Sequence, residues 1–468
     1  MTAADRTGPA RRPNLLFVFA DQFRQQALGC MNADPVITPN LDRLAAEGCV
    51  LTHAVSNRPV CSPHRAMLFT GQYPHANGVL TNCNSDTVGA GNYLRQDAHC
   101  LSDALAGAGY DLGYIGKWHL DPPDAAHNEW TEGPRGNGRI WDSFTPPERR
   151  HGFGFWHAYG CCDNHLRPHY WEGERLEDRI DVDGWSVRHE ADVAVDFLTE
   201  RARACRDEDQ PFALFVAHNP PHTPFEMVPE EYLEAYRGLG CRDVLNRPNV
   251  DLGGEGAPAG EHAVHYFAAV TGIDAQLGRL LACLDREGVA DDTIVIFTAD
   301  HGEMMGSQGL MHKSYWWDES LLVPFLIRWP GQVETGRDDL LLSVPDLAPT
   351  LLHMMGCGEA TPGEMAGRDL SGAFLGGPVE RPSSALYLEV GPQAPGGGKR
   401  GLRTHRHTLG VVRHSGRPDQ YRLYDSDTDP FQLRDVAASE PEVVAELREE
   451  MEAWLERTGD PWLPATAS

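Results

Sequence analysis

The segment with the most reactive combination of residue types is 61–65, which reads Cys-Ser-Pro-His-Arg. Proline is favoured at the start of a helix, because its missing N–H would have no partner there, so we expect a helix over residues 62–71. Cys61 then lies at a helix N-terminus, where free N–H groups favour an anion, and Arg65 adds a planar cation that binds oxyanions. The segment predicts chemistry on a sulfate or phosphate group, with a buried, unreactive Cys61 as the alternative.

Four other groups of polar residues directly follow short apolar runs that predict β-strands. In a sheet of parallel strands the carboxyl ends share one edge, and ligands bind at that edge. A single such residue could be only a turn residue or a helix cap, but four groups together with Cys61 favour one shared site. The groups are Asp21 and Gln22, Lys117 and His119, His218 and His222, and Asp300 and His301.

Part of this set predicts a site for one divalent cation. Asp21, Gln22 and Asp300 offer oxygen atoms, and His301 offers a nitrogen or a contact just outside the ligands. Oxygen ligands favour calcium or magnesium, whereas an imidazole favours manganese or zinc. We expect calcium, with the other three metals as alternatives.

A second group of possible metal ligands lies in a region without clear periodicity. Its spacings match no standard zinc motif, so we expect these side chains to line a pocket rather than to hold a metal. The group consists of His157, Cys161, Cys162, His165 and His169.

Several segments resemble the motifs of the sulfatase family, which belongs to the alkaline phosphatase superfamily. The order Cys-x-Pro-x-Arg at 61–65 is similar to the signature in which a maturation enzyme oxidises the cysteine to formylglycine. The resemblance implies hydrolysis of a sulfate ester on a small organic or sugar substrate, with formylglycine-generating enzyme as a partner. Similar segments are spread over most of the length of the chain, at 14–22, 113–119, 220–225, 298–303, 313–324 and 421–430.

The resemblance also implies a role for each matching residue. Metal ligands would be an oxygen of the modified Cys61 together with Asp21, Gln22, Asp300 and His301. The hydrated aldehyde would be a geminal diol, in which one hydroxyl attacks sulfur and the other later collapses to expel sulfate. The residues that orient the diol, neutralise charge or move a proton would be Arg65, Lys117, His119, His222 and Lys313.

Two positions differ from many arylsulfatases, which carry a second carboxylate in place of Gln22 and an asparagine in place of His301. These pairs also resemble phosphonate monoester hydrolases and phosphodiesterases of the same superfamily, so that activity is the alternative. Such relatives tend to have tyrosine and threonine where Lys117 and His119 stand, which favours sulfate. A third interpretation is an anion-binding protein whose Cys61 remains a thiol.

Composition limits the partners and the compartment. The 468 residues carry a net charge of −28, which disfavours nucleic acid and anionic membranes, because both attract an excess of Lys and Arg. No run approaches the roughly 18 apolar residues of a membrane-spanning helix. The eleven cysteines are irregularly spaced, which favours reduced thiols and a cytoplasmic protein. A homo-oligomer is compatible with this composition.

Short apolar runs alternate with amphipathic stretches, which predicts an α/β fold with a large, mainly parallel or mixed sheet flanked by helices over residues 1–375. We expect its strands at 15–19, 112–115, 212–216, 293–297 and 324–327. Further helices are expected at 39–47, 101–108, 186–205, 262–287 and 346–355. The remainder, 376–468, predicts a smaller α+β domain whose antiparallel strands lie at 385–390, 404–412 and 421–424, with a helix at 440–457.

Residues 121–184 are rich in Trp, His, Pro, Gly and Arg and show no clear period. Long irregular stretches inside a compact domain are usually functional, so we expect a loop at the rim of the substrate pocket. The substrate contacts expected from this loop are His151, Trp156, His165, Arg167 and His169.

Overall fold

A ten-stranded mixed sheet lies at the centre of the fold. The computed structural model describes residues 12–123, 138–391 and 394–463. Along the chain the strands are β1 (Asn14–Ala20), β2 (Cys49–Val55), β3 (Asp111–Lys117), β4 (Phe155–Tyr159), β5 (His169–Trp171), β6 (Arg179–Asp181), β7 (Phe212–His218), β8 (Thr293–Ala299), β9 (Phe325–Arg328) and β10 (Gly336–Ser343). Across the sheet they lie in the order β10-β2-β9-β8-β1-β7-β3-β4-β5-β6.

The four strands in the middle of this sheet run parallel. β1 pairs with β7 on one side and with β8 on the other, and β3 pairs with β7. Every residue of β1, β7 and β8 is buried, as expected when helices cover both faces of a parallel sheet. The carboxyl ends of β8, β1, β7 and β3 therefore lie side by side, and the predicted α/β fold with a large mixed sheet is confirmed.

All seven predicted helices are present, and their ends differ from the prediction by at most three residues. The short helices between them were not predicted. The helices of the described residues are α1 (Pro39–Glu47), α2 (Cys61–Thr70), α3 (Pro74–Asn77), α4 (Leu101–Gly107), α5 (Ser186–Glu208), α6 (Glu230–Leu233), α7 (Cys241–Val244), α8 (Ala259–Glu287), α9 (Asp318–Leu321), α10 (Val344–Met354), α11 (Ser371–Leu375) and α12 (Pro441–Thr458).

Helix α8 is long and apolar enough to cross a membrane by length and composition alone. However, 72% of its most apolar 18-residue window is buried inside the molecule. It contacts α1 and α5, and helices that are apolar on most sides are typical of protein cores. Burial against these neighbours accounts for its apolar sequence.

A second, four-stranded sheet follows the predicted boundary at residue 375. Its antiparallel strands are β11 (Ser384–Gly391), β12 (Ala394–Thr404), β13 (His407–Arg413) and β14 (Gln420–Asp425). The predicted strand over 404–412 is present as β13, which begins three residues later, whereas β12 was not predicted, because its glycines hide the apolar alternation. Buried apolar residues of both sheets belong to one continuous core, so the division into domains 1–375 and 376–468 stays a prediction.

Five strands of the large sheet were not predicted. β4, β5 and β6 lie within residues 121–184, so the prediction of one continuous loop there is wrong. Residues 124–137 of the predicted loop lie outside the described residues. β5 and β6 have only three residues each, too few for an alternating pattern to be visible. β2 and β10 were also missed, because polar residues occupy part of each. The predicted strand at 324–327 is present as β9, but it runs antiparallel to β2 and β8.

Candidate active site

Cys61 lies where the first turn of α2 meets the ends of β1 and β8. Its Sγ is 3.5 Å from Asp21 Oδ1, 3.3 Å from His301 Nε2 and 3.6 Å from Lys313 Nζ. Helix α2 ends at Gly71, whose φ of 62° is the left-handed conformation that favours glycine. Side chains from three distant parts of the sequence thus converge on a cysteine that is 1% exposed.

Two carboxylates and two cations form a buried network beside Cys61. Arg65 donates to Asp300 Oδ2 from Nε at 3.2 Å and from Nη2 at 3.1 Å, and Nη2 is 3.4 Å from Asp21 Oδ2. Lys117 Nζ donates to the same Asp21 oxygen at 2.6 Å. All four side chains are fully buried, so each charge depends on the others for compensation.

The two carboxylates respond differently to this environment. Burial raises the pKa of Asp21, but the Lys117 ammonium and other nearby cations lower it well below its usual range. Burial raises the pKa of Asp300 to about 6, and repulsion from Asp21 contributes to the rise. The pair therefore carries the like-charge repulsion that a cation placed between its members would relieve.

The surroundings of Cys61 favour a negative charge. Burial and Asp21 raise the pKa of this thiol, but Lys117, Lys313 and His301 outweigh them and lower it well below its usual range. Burial has the opposite result at Cys83, where it raises the pKa to about 12. The contrast argues against the interpretation of Cys61 as an inert buried thiol, because reactive cysteines lie among cationic groups.

Four side chains around this point can ligate a metal ion. One ligand atom each from Asp21, Cys61, Asp300 and His301 lies within 4.8 Å of the others, and all four residues are buried. His301 donates from Nδ1 to the Gly302 carbonyl at 2.9 Å, which directs Nε2 towards the other three. Carboxylates combined with an imidazole suit a divalent cation, so these residues fit the group that the sequence predicts.

Gln22, the remaining predicted ligand, lies against Lys313. Its Oε1 accepts a hydrogen bond from Lys313 Nζ at 2.6 Å, and its backbone N–H donates to Asp300 Oδ1 at 3.1 Å. Since Lys313 Nζ is also 3.6 Å from Cys61 Sγ, the amide oxygen of Gln22 faces the same point as the other predicted ligands.

Lys117 and His119 reach the site from the end of β3. Asn219, which the sequence did not indicate, accepts from Lys117 Nζ at 3.0 Å and donates to the Cys162 carbonyl at 2.8 Å. His119 donates from Nε2 to the Cys83 carbonyl at 3.0 Å, which leaves the lone pair on Nδ1. Burial lowers the pKa of His119, although the nearby Cys61 opposes this.

Of the two histidines at the end of β7 and just beyond it, one lies at the site and the other lies in the core. His222 interacts electrostatically with Asp21, and its Nδ1 is 3.4 Å from Asp163 Oδ1. His218 does not join them, because its Nδ1 lies 2.6 Å from Glu190 Oε2 on α5. The prediction that His218 contributes to the site is therefore wrong. Neighbouring residues of a strand point to opposite faces, so Asn219 reaches the site where His218 cannot.

The five possible soft ligands of residues 157–169 do not form a metal group among the described residues. Each is buried and most have separate partners: His157 lies 2.6 Å from Glu172, His165 binds the His222 carbonyl, and His169 binds Asp142.

Four of the five predicted substrate contacts are packed in the interior. The expectation of a pocket rim is wrong for His151, Trp156, His165 and His169, which are at most 6% exposed. The strands β4 and β5 account for this, because they carry Trp156 and His169 into the sheet. Arg167 is exposed, and its Nε is 3.6 Å from Asp183.

Replacing His169 with glutamine is expected to destabilise the protein most at mildly acidic pH. Burial lowers the pKa of His169, but Asp142, 2.6 Å away, raises it to about 10. A histidine with a raised pKa contributes fully below its unfolded value of about 6.5, and the contribution is lost as pH rises to about 10. Urea denaturation should show a loss of about 3–5 kcal/mol near pH 5.5. Equal losses near pH 5.5 and pH 10 would contradict the prediction.

The family model described as Sulfatase matches residues 13–357, which include every residue of the site. The chain belongs to the sulfatase family. A second model, described as N-sulphoglucosamine sulphohydrolase, C-terminal, matches residues 306–458.

Individual relatives agree with this assignment to the sulfatases of the alkaline phosphatase superfamily. The chain is 39% identical to an endo-4-O-sulfatase from Bacteroides thetaiotaomicron, over 97% of this chain and 94% of the relative. The crystal structure of a candidate sulfatase from Bacteroides fragilis superimposes with a TM-score of 0.91 at 38% identity, covering 98% of each chain. The protein is an enzyme that hydrolyses sulfate esters.

The alternative activity, hydrolysis of phosphonate monoesters or phosphodiesters, has weaker support from the comparisons. A phosphonate monoester hydrolase from Agrobacterium radiobacter matches with a TM-score of 0.67 and 23% identity, covering 96% of each chain. Similarity at this level shows a shared fold alone.

Proposed function

We propose that this sulfatase carries a formylglycine at position 61, binds one calcium ion beside it and releases inorganic sulfate from a sugar sulfate ester. The observation that supports this proposal most directly is the environment of Cys61, where buried metal ligands and cations surround one side chain. A hydrated formylglycine supplies a hydroxyl nucleophile, and a divalent cation supplies positive charge that favours its ionised form.

The cationic side chains have separate tasks in this proposal. Lys117 and Lys313 bring two ammonium groups close to position 61, which can neutralise the oxygens of the transferred sulfate. Arg65 is held by two hydrogen bonds to Asp300, so it keeps a fixed orientation beside the nucleophile. To His222, which interacts with Asp21, we assign assistance to the leaving oxygen.

His119 is suited to accept a proton. Its Nε2–H is committed to the Cys83 carbonyl, and the lowered pKa keeps the imidazole neutral at pH 7. A neutral histidine with a lone pair on Nδ1 can act as a general base. In this proposal His119 accepts the proton of the second hydroxyl at position 61 when sulfate is expelled.

The residues next to Lys313 support a sugar as the leaving group. Ser314 Oγ is 3.2 Å from Glu389 Oε2 on β11, and Lys399 Nζ on β12 is 2.9 Å from the same carboxylate oxygen. Lys399 also lies over the ring of Tyr315, at 5.8 Å. Partly exposed hydroxyl, carboxylate, ammonium and aromatic groups can together bind a saccharide, and the similarity to an endo-4-O-sulfatase favours the same substrate class.

Replacing Lys399 with methionine is expected to weaken binding of sulfated oligosaccharides selectively. Loss of one charged hydrogen bond should raise KM for a sulfated uronate-containing oligosaccharide about tenfold. KM for p-nitrophenyl sulfate, which has no saccharide for Lys399 to bind, should stay unchanged. Arg406→Met is the matched control, since Arg406 pairs with Asp425 elsewhere on this sheet. Equal increases in KM for both substrates would contradict a role in saccharide binding.

Maturation and compartment belong to the same proposal. None of the eleven cysteines, all of them in the described residues, forms a disulfide, which supports a reducing compartment and hence the cytoplasm. A formylglycine-generating enzyme is then required in the same cell. Mass spectrometry of the peptide that contains residue 61, purified from the native host, tests this point, and an unmodified thiol throughout the sample would contradict it.

The proposed activity is tested by incubating matured protein with sulfated sugars, p-nitrophenyl sulfate and phenyl phosphonate esters. Released sulfate, measured by ion chromatography, should be fastest from a sugar sulfate and should depend on calcium. Release of sulfate from none of the esters, or faster turnover of the phosphonate, would contradict the proposal.

A further inference from the structure

A fully buried carboxylate, Glu303, lies beside the predicted ligand Gln22. Its Oε2 accepts a hydrogen bond from Gln22 Nε2 at 2.5 Å. Its Oε1 accepts from the backbone N–H of Met305 at 2.8 Å and of His312 at 2.6 Å. One carboxylate therefore holds both the Gln22 amide and the chain segment that leads into Lys313.

The two neighbours of Gln22 determine which way its amide points. An ionised carboxylate only accepts hydrogen bonds, and an ammonium only donates them. The NH₂ group of Gln22 must therefore face Glu303, while its Oε1 faces Lys313 Nζ at 2.6 Å. The amide cannot rotate by half a turn without opposing donor to donor and acceptor to acceptor.

The backbone of Gln22 is fixed independently of Glu303. Its φ of 68° is uncommon for a residue with a side chain, and such conformations persist only where the surroundings enforce them. Here its N–H donates to Asp300 Oδ1 at 3.1 Å, and its carbonyl accepts from Tyr266 Oη at 2.9 Å. Only the orientation of the amide is left for Glu303 to set.

We infer that Glu303 is a positioning residue, which directs the amide oxygen of Gln22 towards Lys313 and position 61. The same contact explains why residue 22 is not a carboxylate, because a second buried anion 2.5 Å from Glu303 would be repelled. The inference rests on the proposed function only in treating the amide oxygen as a ligand of the cation.

A charge exchange between the two positions tests this inference. The variants are Glu303→Gln, Gln22→Glu and the double variant, each as the full chain. Calcium affinity is measured by isothermal titration calorimetry, and stability by thermal unfolding without metal. Each single variant should bind calcium about tenfold more weakly, because an outer partner of a ligand is lost or repelled. The double variant restores a carboxylate opposite an amide, so its affinity should return to within about threefold of wild type.

The matched control is Glu190→Gln, which changes another fully buried carboxylate, bound to His218 and Tyr170. It should lower the unfolding temperature without changing calcium affinity. Two results would overturn the inference: calcium affinity that is unchanged in Glu303→Gln, or a loss of affinity in the double variant equal to the sum of the losses in the two single variants.

The proposed function can fail separately from the inference. Wild-type protein that binds no calcium would contradict the proposed cation. The pairing of residues 22 and 303 would then be judged on unfolding temperatures, where recovery in the double variant supports it and additive losses overturn it.

Discussion

Replacement of Cys61 by alanine is expected to reduce the turnover of sulfate esters by about 10⁴-fold or more, as for other nucleophile deletions. Alanine cannot become formylglycine, so no nucleophile remains at the point where Asp21, His301 and Lys313 converge. Cys61→Ser should also lose turnover, but for a different reason, because its single hydroxyl could attack sulfur and could not expel sulfate afterwards. The measurement is sulfate release under saturating substrate.

The fold should survive the loss of Cys61, because only the small functional group of one side chain is removed from a helix start. The free energy of unfolding of Cys61→Ala, obtained from thermal unfolding, should differ from that of the wild type by no more than about 1 kcal/mol. Cys283→Ala, at another buried cysteine on α8, is the matched control and should keep full activity. Wild-type turnover in Cys61→Ala would contradict the proposed chemistry.

Replacement of Asp300 by asparagine is expected to reduce turnover by about 10³-fold while leaving the metal-free protein no less stable. Activity falls because a charged ligand is lost and Arg65 loses its main partner. Stability behaves differently, because burial and repulsion from Asp21 outweigh the attraction of His301 and Arg65 and raise the pKa of Asp300 to about 6. A carboxylate whose folded pKa exceeds its unfolded value of about 3.8 destabilises the folded state as pH rises, fully above about 6.

The experiment compares urea denaturation of wild type and Asp300→Asn at pH 8, with a chelator present, and calcium titration of both. The variant should match or exceed the stability of the metal-free wild type and should bind calcium much more weakly. A large loss of metal-free stability, or calcium binding equal to that of wild type, would contradict this account of the site.

The sequence indicated the site where residues follow long, apolar strands. Asp21 and Asp300 come directly after β1 and β8, and Lys117 is the last residue of β3; the burial of these strands gives a strong apolar signal. Parallel strands place such residues at one edge, so their proximity could be predicted without coordinates. The helices were predictable for a similar reason, since their periodic faces and terminal glycines are local features.

Other parts of the site depend on contacts that a sequence pattern does not contain. Asn219 and Glu303 act through hydrogen bonds to Lys117 and Gln22, which are more than eighty residues away along the chain. The sequence analysis named His218 and passed over the adjacent Asn219, because a sequence pattern does not show which side of the sheet each residue at the end of β7 faces. β5 and β6, at one edge of the large sheet, have only three residues each, which is too few for an alternating pattern to be visible in the sequence.

The burial of α2 also constrains how the enzyme is made. Residue 61 is 1% exposed, and all ten residues of this helix are covered. A modifying enzyme needs a stretch of accessible polypeptide, so the proposed oxidation has to occur on a nascent or unfolded chain, before the sheet closes over the segment. A copy that folds first is trapped as a stable thiol form. Yield of active protein in a heterologous host should therefore follow the timing of synthesis relative to oxidation, and excess maturation factor added to folded protein should not increase it.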